Sequence, residues 1–200
     1  MRESLRRSDL LPDPVEQFRR WFADAEAAQP HLPEAMTLAT ADAGGRPSAR
    51  MVLLKAYDDR GFVFYTNRSS RKGKEIGQNP GAALVLWWPA LERQVRIEGR
   101  VEWVSDEESD EYFASRPRGS QLSALASPQS SVIEENSLET QLKKLELEYL
   151  EKDVARPPHW GGYRLVPDYI EFWQGRPDRM HDRLRYRRQQ KGWMIERLAP

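Results

Sequence analysis

The residues most able to do chemistry in this sequence are cations interleaved with small hydroxyls. Arg68-Ser69-Ser70-Arg71-Lys72 sets three cations and two hydroxyls at the start of an expected short helix. Free backbone N–H groups at a helix start favour an anion, so these residue types suit a phosphate. A solvated basic surface turn would carry the same composition. Near the C-terminus, alternation in an expected strand sets Arg179, His181, Arg183 and Arg185 on one face, with Met180, Leu184 and Tyr186 on the other. Such a row of cations is costly without an anion, although charge also defends exposed edge strands. A third group, Tyr112, Arg116, Arg118 and Ser120, surrounds an Arg116-Pro117 break expected to end a helix. Trp173, beside Gln174-Gly175, offers an aromatic plane for a flat cofactor, whereas the other tryptophans, Trp160 included, are read as core or interface mass.

The common catalytic signatures are missing: there is no GxGxxG, Walker A loop, HExxH or GxSxG. With His31, His159 and His181 scattered and no cysteine, a zinc site, a serine triad, a thiol nucleophile and a disulfide framework are all disfavoured. Anion sites beside an aromatic plane, without acid–base apparatus, point to a cofactor that performs the reaction while the protein orients it. The 31 basic and 31 acidic side chains cancel, which argues against nucleic-acid binding through overall charge. The opening MRESLRRSDLLPDP has no signal-peptide core, and no window approaches the run of about 20 apolar residues that a spanning helix needs. A soluble protein with no membrane partner is expected, and the lack of cysteine is compatible with a cytoplasmic location.

The elements that must position these residues are mainly strands. A helix is expected from Asp13, with Pro14 in its first turn and Val15, Phe18, Trp21, Phe22 and Ala25 as its apolar stripe. From Ala35 the period shortens to two, and AMTLATA, PSARMVLLKAY, GFVFYT and AALVLWW are separated by turn signals. Arg93 to Trp103 alternates most clearly. Helices are expected at Ser69 to Gln78, Asp106 to Ala114 and Ser137 to Glu151, a loose segment at Ala126 to Asn136, and strands again from Tyr163. The pattern predicts a mainly β fold with peripheral α-helices, an antiparallel barrel formed by one domain over residues 13–200, with residues 1–12 as a short mobile arm.

Six blocks, in order, resemble the pyridoxine/pyridoxamine 5'-phosphate oxidase family. They are RMVLLK (Arg50 to Lys55), FYTNRSSRK (Phe64 to Lys72), LERQVRIEG (Leu91 to Gly99), YFASRPRGSQ (Tyr112 to Gln121), SPQSS (Ser127 to Ser131), and WGGYR followed by EFWQGRPDRMHDRLRY and ERLAP. The resemblance implies an FMN-binding split antiparallel β-barrel, and a homodimer with flavin at the subunit interface. The implied reaction is oxidation of pyridoxine or pyridoxamine 5'-phosphate to pyridoxal 5'-phosphate by O2, with release of H2O2.

Carried over by position, flavin contacts fall on Arg50, Met51, Val52, Leu53, Tyr65, Thr66, Arg71, Lys72, Gln94, Gln129, Ser130, Trp173 and Arg183. Substrate-phosphate contacts fall on Lys55, Tyr112, Arg116 and Ser120, while Arg179 and His181 fall over the pyridine ring as the catalytic pair. The N-terminus departs from the family in being short and lacking a tyrosine. Arg6, Arg7 and Arg197 read either as a secondary anion site or as exposed solubilising charge. The rival functions are a flavin- or deazaflavin-dependent reductase of the same fold, and a protein that binds FMN or pyridoxal phosphate without turnover.

Overall fold

The computed structural model describes residues 4–200, so the first three residues of the expected arm lie outside it. Helix α1 spans Pro14–Ala28; the Asp13 carboxylate accepts the Val15 and Glu16 amides, and Pro14 occupies a first-turn position that needs no amide. Val15, Phe18, Trp21 and Ala25 recur at helical spacing and are buried together. Their face meets the sheet edge-on, Phe18 against Phe62 and Trp21 against Phe172.

The sheet is antiparallel at every pairing. Its strands are β1 (Ala35–Ala41), β2 (Pro47–Leu53), β3 (Ala56–Asp58), β4 (Gly61–Asn67), β5 (Gly81–Trp88), β6 (Arg93–Trp103), β7 (Trp160–Gln174), β8 (Asp182–Arg188) and β9 (Trp193–Leu198). They run β2-β1-β5-β6-β7-β4-β3, with β8 on β7 and β9 on β8. Strand β7 organises the whole. One edge pairs with β6 from Tyr163 to Gln174, whereas the other takes β4 along Trp160–Leu165 and β8 along Tyr169–Gln174. The sheet therefore forks at β7 and curls into a half-barrel, the split antiparallel barrel fold that the family resemblance implies.

At the fork the β6–β7 register shifts between Glu98 and Gly99. A bulge tolerates Pro167, which has no amide to give to a ladder. Gly99 is required there, because a Cβ would stand 2.0 Å from the Val166 carbonyl oxygen.

Four further α-helices lie among the described residues: α2 (Arg71–Gln78), α3 (Asp106–Ser115), α4 (Arg118–Ala126) and α5 (Ser137–Glu148). The last three pack with Phe113, Leu122, Leu145 and Trp160 into a second, smaller core. Helix α4 was not expected. Arg116-Pro117 ends α3, but Pro117 is also the N-cap of α4, a helix entrance where its ring is compatible.

One expectation near the C-terminus is corrected. The C-terminal strand starts only at Asp182; Pro177–Arg179 is a 3-10 turn in which Asp178 and Arg179 take φ of 56° and 58°. Arg179 and His181 thus do not share a strand face with Arg183 and Arg185, because left-handed backbone breaks the alternation before it reaches them. At the other end, the Leu5 amide donates to Asp182 Oδ2 (3.0 Å), Leu10 is buried, and the Tyr186 hydroxyl donates to the Leu11 carbonyl (2.5 Å). Residues 5–11 are thereby held along β8.

Candidate active site

A cavity of about 960 Å3 opens between the β2 and β4 strands and helices α2, α3 and α4. Its lining brings together Arg50, Met51, Val52, Leu53, Lys55, Tyr65, Thr66, Arg71, Lys72, Tyr112, Arg116, Ser120, Gln129 and Ser130, all singled out from the sequence. Gln94, Trp173, Arg179, His181 and Arg183 are not in it.

One end of the cavity is built on the start of α2. The Ser70 hydroxyl accepts the Gly73 amide and donates to the Asn67 carbonyl, tying the helix start to the end of β4. Gly73 is needed for this closeness, since a Cβ there would lie 2.2 Å from the Arg68 carbonyl oxygen. Lys72 is only 8% exposed, yet its ammonium donates to neutral partners: Thr66 Oγ1 (3.2 Å), Gln129 Oε1 (3.3 Å) and Ser70 Oγ (3.5 Å). Burial, aided by Arg50 and opposed by Glu75, pushes this ammonium below its ordinary value. A buried cation with neutral partners is a cation that an incoming anion would relieve.

Arg50 and Arg71 reach the same end and share one carboxylate. Glu75 Oε1 accepts Arg71 Nε (2.8 Å); Oε2 accepts the hydroxyls of Thr40 (2.5 Å) and Ser48 (2.6 Å) and Arg50 Nη2 (3.2 Å). Burial alone would raise the Glu75 pKa, but hydrogen bonds from Ser48, Thr40, Arg71 and Arg50 outweigh it and hold the carboxyl at about 2. The loop after α4 closes this end. Gln129 Oε1 also accepts the Thr66 hydroxyl (3.1 Å), and Ser130 adopts φ of 73°, a conformation unusual for a residue with a side chain.

The other end is aromatic. Tyr65 and Tyr112 stack with centroids 3.9 Å apart, and Trp160 lies nearly parallel to both. Burial, then the nearby Glu108 and Tyr112, pushes the Tyr65 phenol up to about 12, so it keeps its proton at neutral pH. Arg116 sits with its guanidinium carbon 4.7 Å from the Trp160 centroid. Its Nη1 is buried without a hydrogen-bond partner among the described residues, and burial lowers its pKa. Lys55 faces the same cavity, with Glu34 3.9 Å from its ammonium.

The remaining expected residues form a second group on β6, β7 and the turn before β8. Gln94 pairs across the ladder with Trp173, whose ring lies 4.5 Å from that of His181 and 5.9 Å from that of Trp87. His181 Nδ1 accepts the Arg176 amide (3.2 Å), so the neutral ring carries its proton on Nε2. The cationic row itself is paired internally: Arg183 with Glu171 (2.7 Å), and Arg185 and Arg187 with Glu196. Arg197 is tied to Asp182 at 2.5 Å.

Sequence reasoning passed over Trp160 and Glu75. Trp160 had a signal in its WGGYR block, and Glu75 in its four-residue spacing from Arg71 on a basic helix. No helix among the described residues is long and apolar enough to cross a membrane.

Residues 22–148 match the family described as pyridoxamine 5'-phosphate oxidase, and residues 160–200 match a pyridoxine 5'-phosphate oxidase C-terminal dimerisation region. The chain is 57% identical to the pyridoxine/pyridoxamine 5'-phosphate oxidase of a Cyanothece species, over 99% of this chain and 93% of that protein. It is 58% identical to the Burkholderia vietnamiensis protein of the same name, over 100% and 94%. Among solved structures, PhzG from Burkholderia lata, in complex with tetrahydrophenazine-1-carboxylic acid, superposes with a TM-score of 0.92 at 33% identity, covering 99% of this chain and 98% of that one. A pyridoxamine 5'-phosphate oxidase-related, FMN-binding protein from Nostoc punctiforme shares the fold, with a TM-score of 0.73 at 19% identity over 92% and 97%. Matches over most of its length, to the family descriptions and to relatives more than half identical, make this chain a member of the pyridoxine/pyridoxamine 5'-phosphate oxidase family.

Proposed function

We propose that this chain oxidises pyridoxine 5'-phosphate or pyridoxamine 5'-phosphate to pyridoxal 5'-phosphate with FMN as cofactor and O2 as electron acceptor. One observation carries the reading: a single cavity holds two separate anion-seeking cations, Lys72 with neutral partners and Arg116 with a buried, unpartnered Nη1. Two phosphates fit two such stations, one on the cofactor and one on the substrate.

The donor set suits FMN. Lys72, Arg71, Arg50, Gln129 and Ser130 surround the start of α2 and would hold its phosphate, while Tyr65, Thr66 and the Met51–Leu53 segment of β2 would flank the rest of the molecule. The chemistry FMN would supply when bound is acceptance of a hydride from substrate C4' and delivery of its two electrons, with two protons, to dioxygen, giving H2O2. Lys55, Tyr112, Arg116 and Ser120 would clamp the substrate phosphate, and the Tyr65, Tyr112 and Trp160 wall would exclude water beside it. Holding the reacting carbon in place is the protein's main contribution to rate. With the amine substrate, water then hydrolyses the imine product and ammonia leaves.

The Gln94, Trp173, Arg179, His181 and Arg183 group complements the cavity from a second copy of the chain in a homodimer. Two observations support this. These residues do not line the cavity of their own subunit, and all but Gln94 fall within the 160–200 segment that matches a dimerisation region. Arg179 and His181 then lie over the substrate ring, where His181 offers Nε2–H as a donor.

The test is turnover with oxygen. Purified holoenzyme should form pyridoxal 5'-phosphate and H2O2 in equal amounts from pyridoxine 5'-phosphate, and should barely act on unphosphorylated pyridoxine at the same concentration. Equal rates with the two substrates would remove the substrate-phosphate station from the account.

A further inference from the structure

We propose that Glu75 is a positioning residue for FMN: a buried carboxylate that aims Arg50 and Arg71 at the cofactor phosphate while lying outside the cavity itself. The inference rests on the FMN reading above. It starts from an apparent contradiction, that a carboxylate 4% exposed stands beside the station expected to take a dianion. By charge alone it opposes the ligand.

Its contacts explain why it can still help. Glu75 does not line the main cavity, whereas Arg50 and Arg71 do. One oxygen accepts Arg71 from its own helix, and the other accepts Arg50, Ser48 and Thr40 from β2 and β1. Arg50 Nη1 donates to Thr40 Oγ1 (2.6 Å), and its Nη2 also bonds Ser48, so the guanidinium is held on three sides by one connected network. A long, flexible arginine is thereby fixed before the ligand arrives, which removes an ordering cost from binding. The charges also match. Arg50, Arg71 and Lys72 with Glu75 sum to about two positive charges, the complement of a phosphate monoester at neutral pH.

If orientation dominates, removing the acceptor must weaken FMN binding even though it removes a negative charge. The experiment measures FMN and riboflavin dissociation constants on the apoprotein by quenching of flavin fluorescence, with apoprotein melting temperature recorded alongside. Glu75→Ala should raise the FMN Kd about tenfold or more and leave the riboflavin Kd unchanged, because riboflavin carries no phosphate. Glu75→Gln should recover most of the affinity, since its carbonyl can still hold Arg50. In an Arg50→Ala, Arg71→Ala background, Glu75→Ala should have no further effect.

Tighter FMN binding by Glu75→Ala, or equal loss for FMN and riboflavin, would overturn the proposal in favour of plain repulsion or a general structural role. If Glu75→Ala does not fold, Glu75→Asp takes its place. It is too short to reach β1, β2 and Arg71 together, and an unchanged FMN-to-riboflavin ratio would overturn the proposal equally. Failure of the unaltered apoprotein to bind FMN would instead reject the cofactor reading on which the inference stands.

Discussion

Arg116 lies with its guanidinium carbon 4.7 Å from the Trp160 ring centroid, and its Nη1 is buried without a hydrogen-bond partner among the described residues. The ring supports the cation from one side and leaves one donor unused. A charge-assisted hydrogen bond from that donor contributes about 1.5–3 kcal/mol, so Arg116→Ala should raise KM for pyridoxine 5'-phosphate about ten- to a hundredfold. FMN affinity should stay the same. Trp160→Leu, which removes only the ring, should raise KM a few-fold. Steady-state kinetics with FMN in excess checks both, and an unchanged KM in Arg116→Ala would count against this station.

Lys72 predicts how cofactor binding depends on pH. Burial holds its ammonium below the ordinary 10.5 in the folded apoprotein, and a bound phosphate would favour the charged form. FMN affinity should therefore fall as pH rises in the alkaline range, beginning below 10.5. For the apoprotein the sign is opposite. Between the lowered folded value and 10.5 the unfolded chain binds more protons, so this group makes stability rise with pH. Lys72→Met should abolish both trends and weaken FMN binding, as fluorescence titrations and melting curves across the alkaline range would record.

Tyr186 ties the N-terminal segment to the barrel, because its hydroxyl donates to the Leu11 carbonyl at 2.5 Å. Tyr186→Phe keeps the ring packed and removes the bond, so unfolding free energy should fall by about 1 kcal/mol. Urea denaturation measures this. Turnover at saturating substrate should not change.

Sharing of the site between subunits can be tested by mixing. Arg116→Ala damages the cavity group, and Arg179→Ala the group expected from the second copy. In a heterodimer of the two, one site carries both changes and the other carries neither. At pyridoxine 5'-phosphate far below the raised KM, where each homodimer is nearly silent, random reassociation should restore about one quarter of the original activity, as a two-fold dimer requires. No recovery, with heterodimers verified by mass spectrometry, would place both groups in one subunit.

Much of this was legible in the sequence because local rules and tertiary packing agree. Asp13-Pro14 starts a helix by capping and by fixed φ, and the two-residue period of β6 survives because one of its faces is buried. Where they disagree, the reading slipped. Arg116-Pro117 reads as a helix stop, yet proline is equally at home where a helix begins, and Pro117 is the N-cap of α4. Alternation places Arg179 in a strand because nothing in PDRMHD announces two left-handed residues in succession. The site divides in the same way. The start of α2 is a local motif whose composition suits an anion or a basic surface turn alike, whereas the Tyr65, Tyr112 and Trp160 stack joins β4, α3 and β7 and exists only once the sheet has curled.

The central claim is that this cavity oxidises a phosphorylated pyridine alcohol or amine through a bound flavin. The most direct measurement is an anaerobic titration of the FMN-loaded protein with pyridoxine 5'-phosphate, followed through the visible flavin absorbance. The yellow colour should bleach in proportion to added substrate, and admitting air should restore it with pyridoxal 5'-phosphate formed. A flavin that stays yellow under excess substrate would contradict the claim.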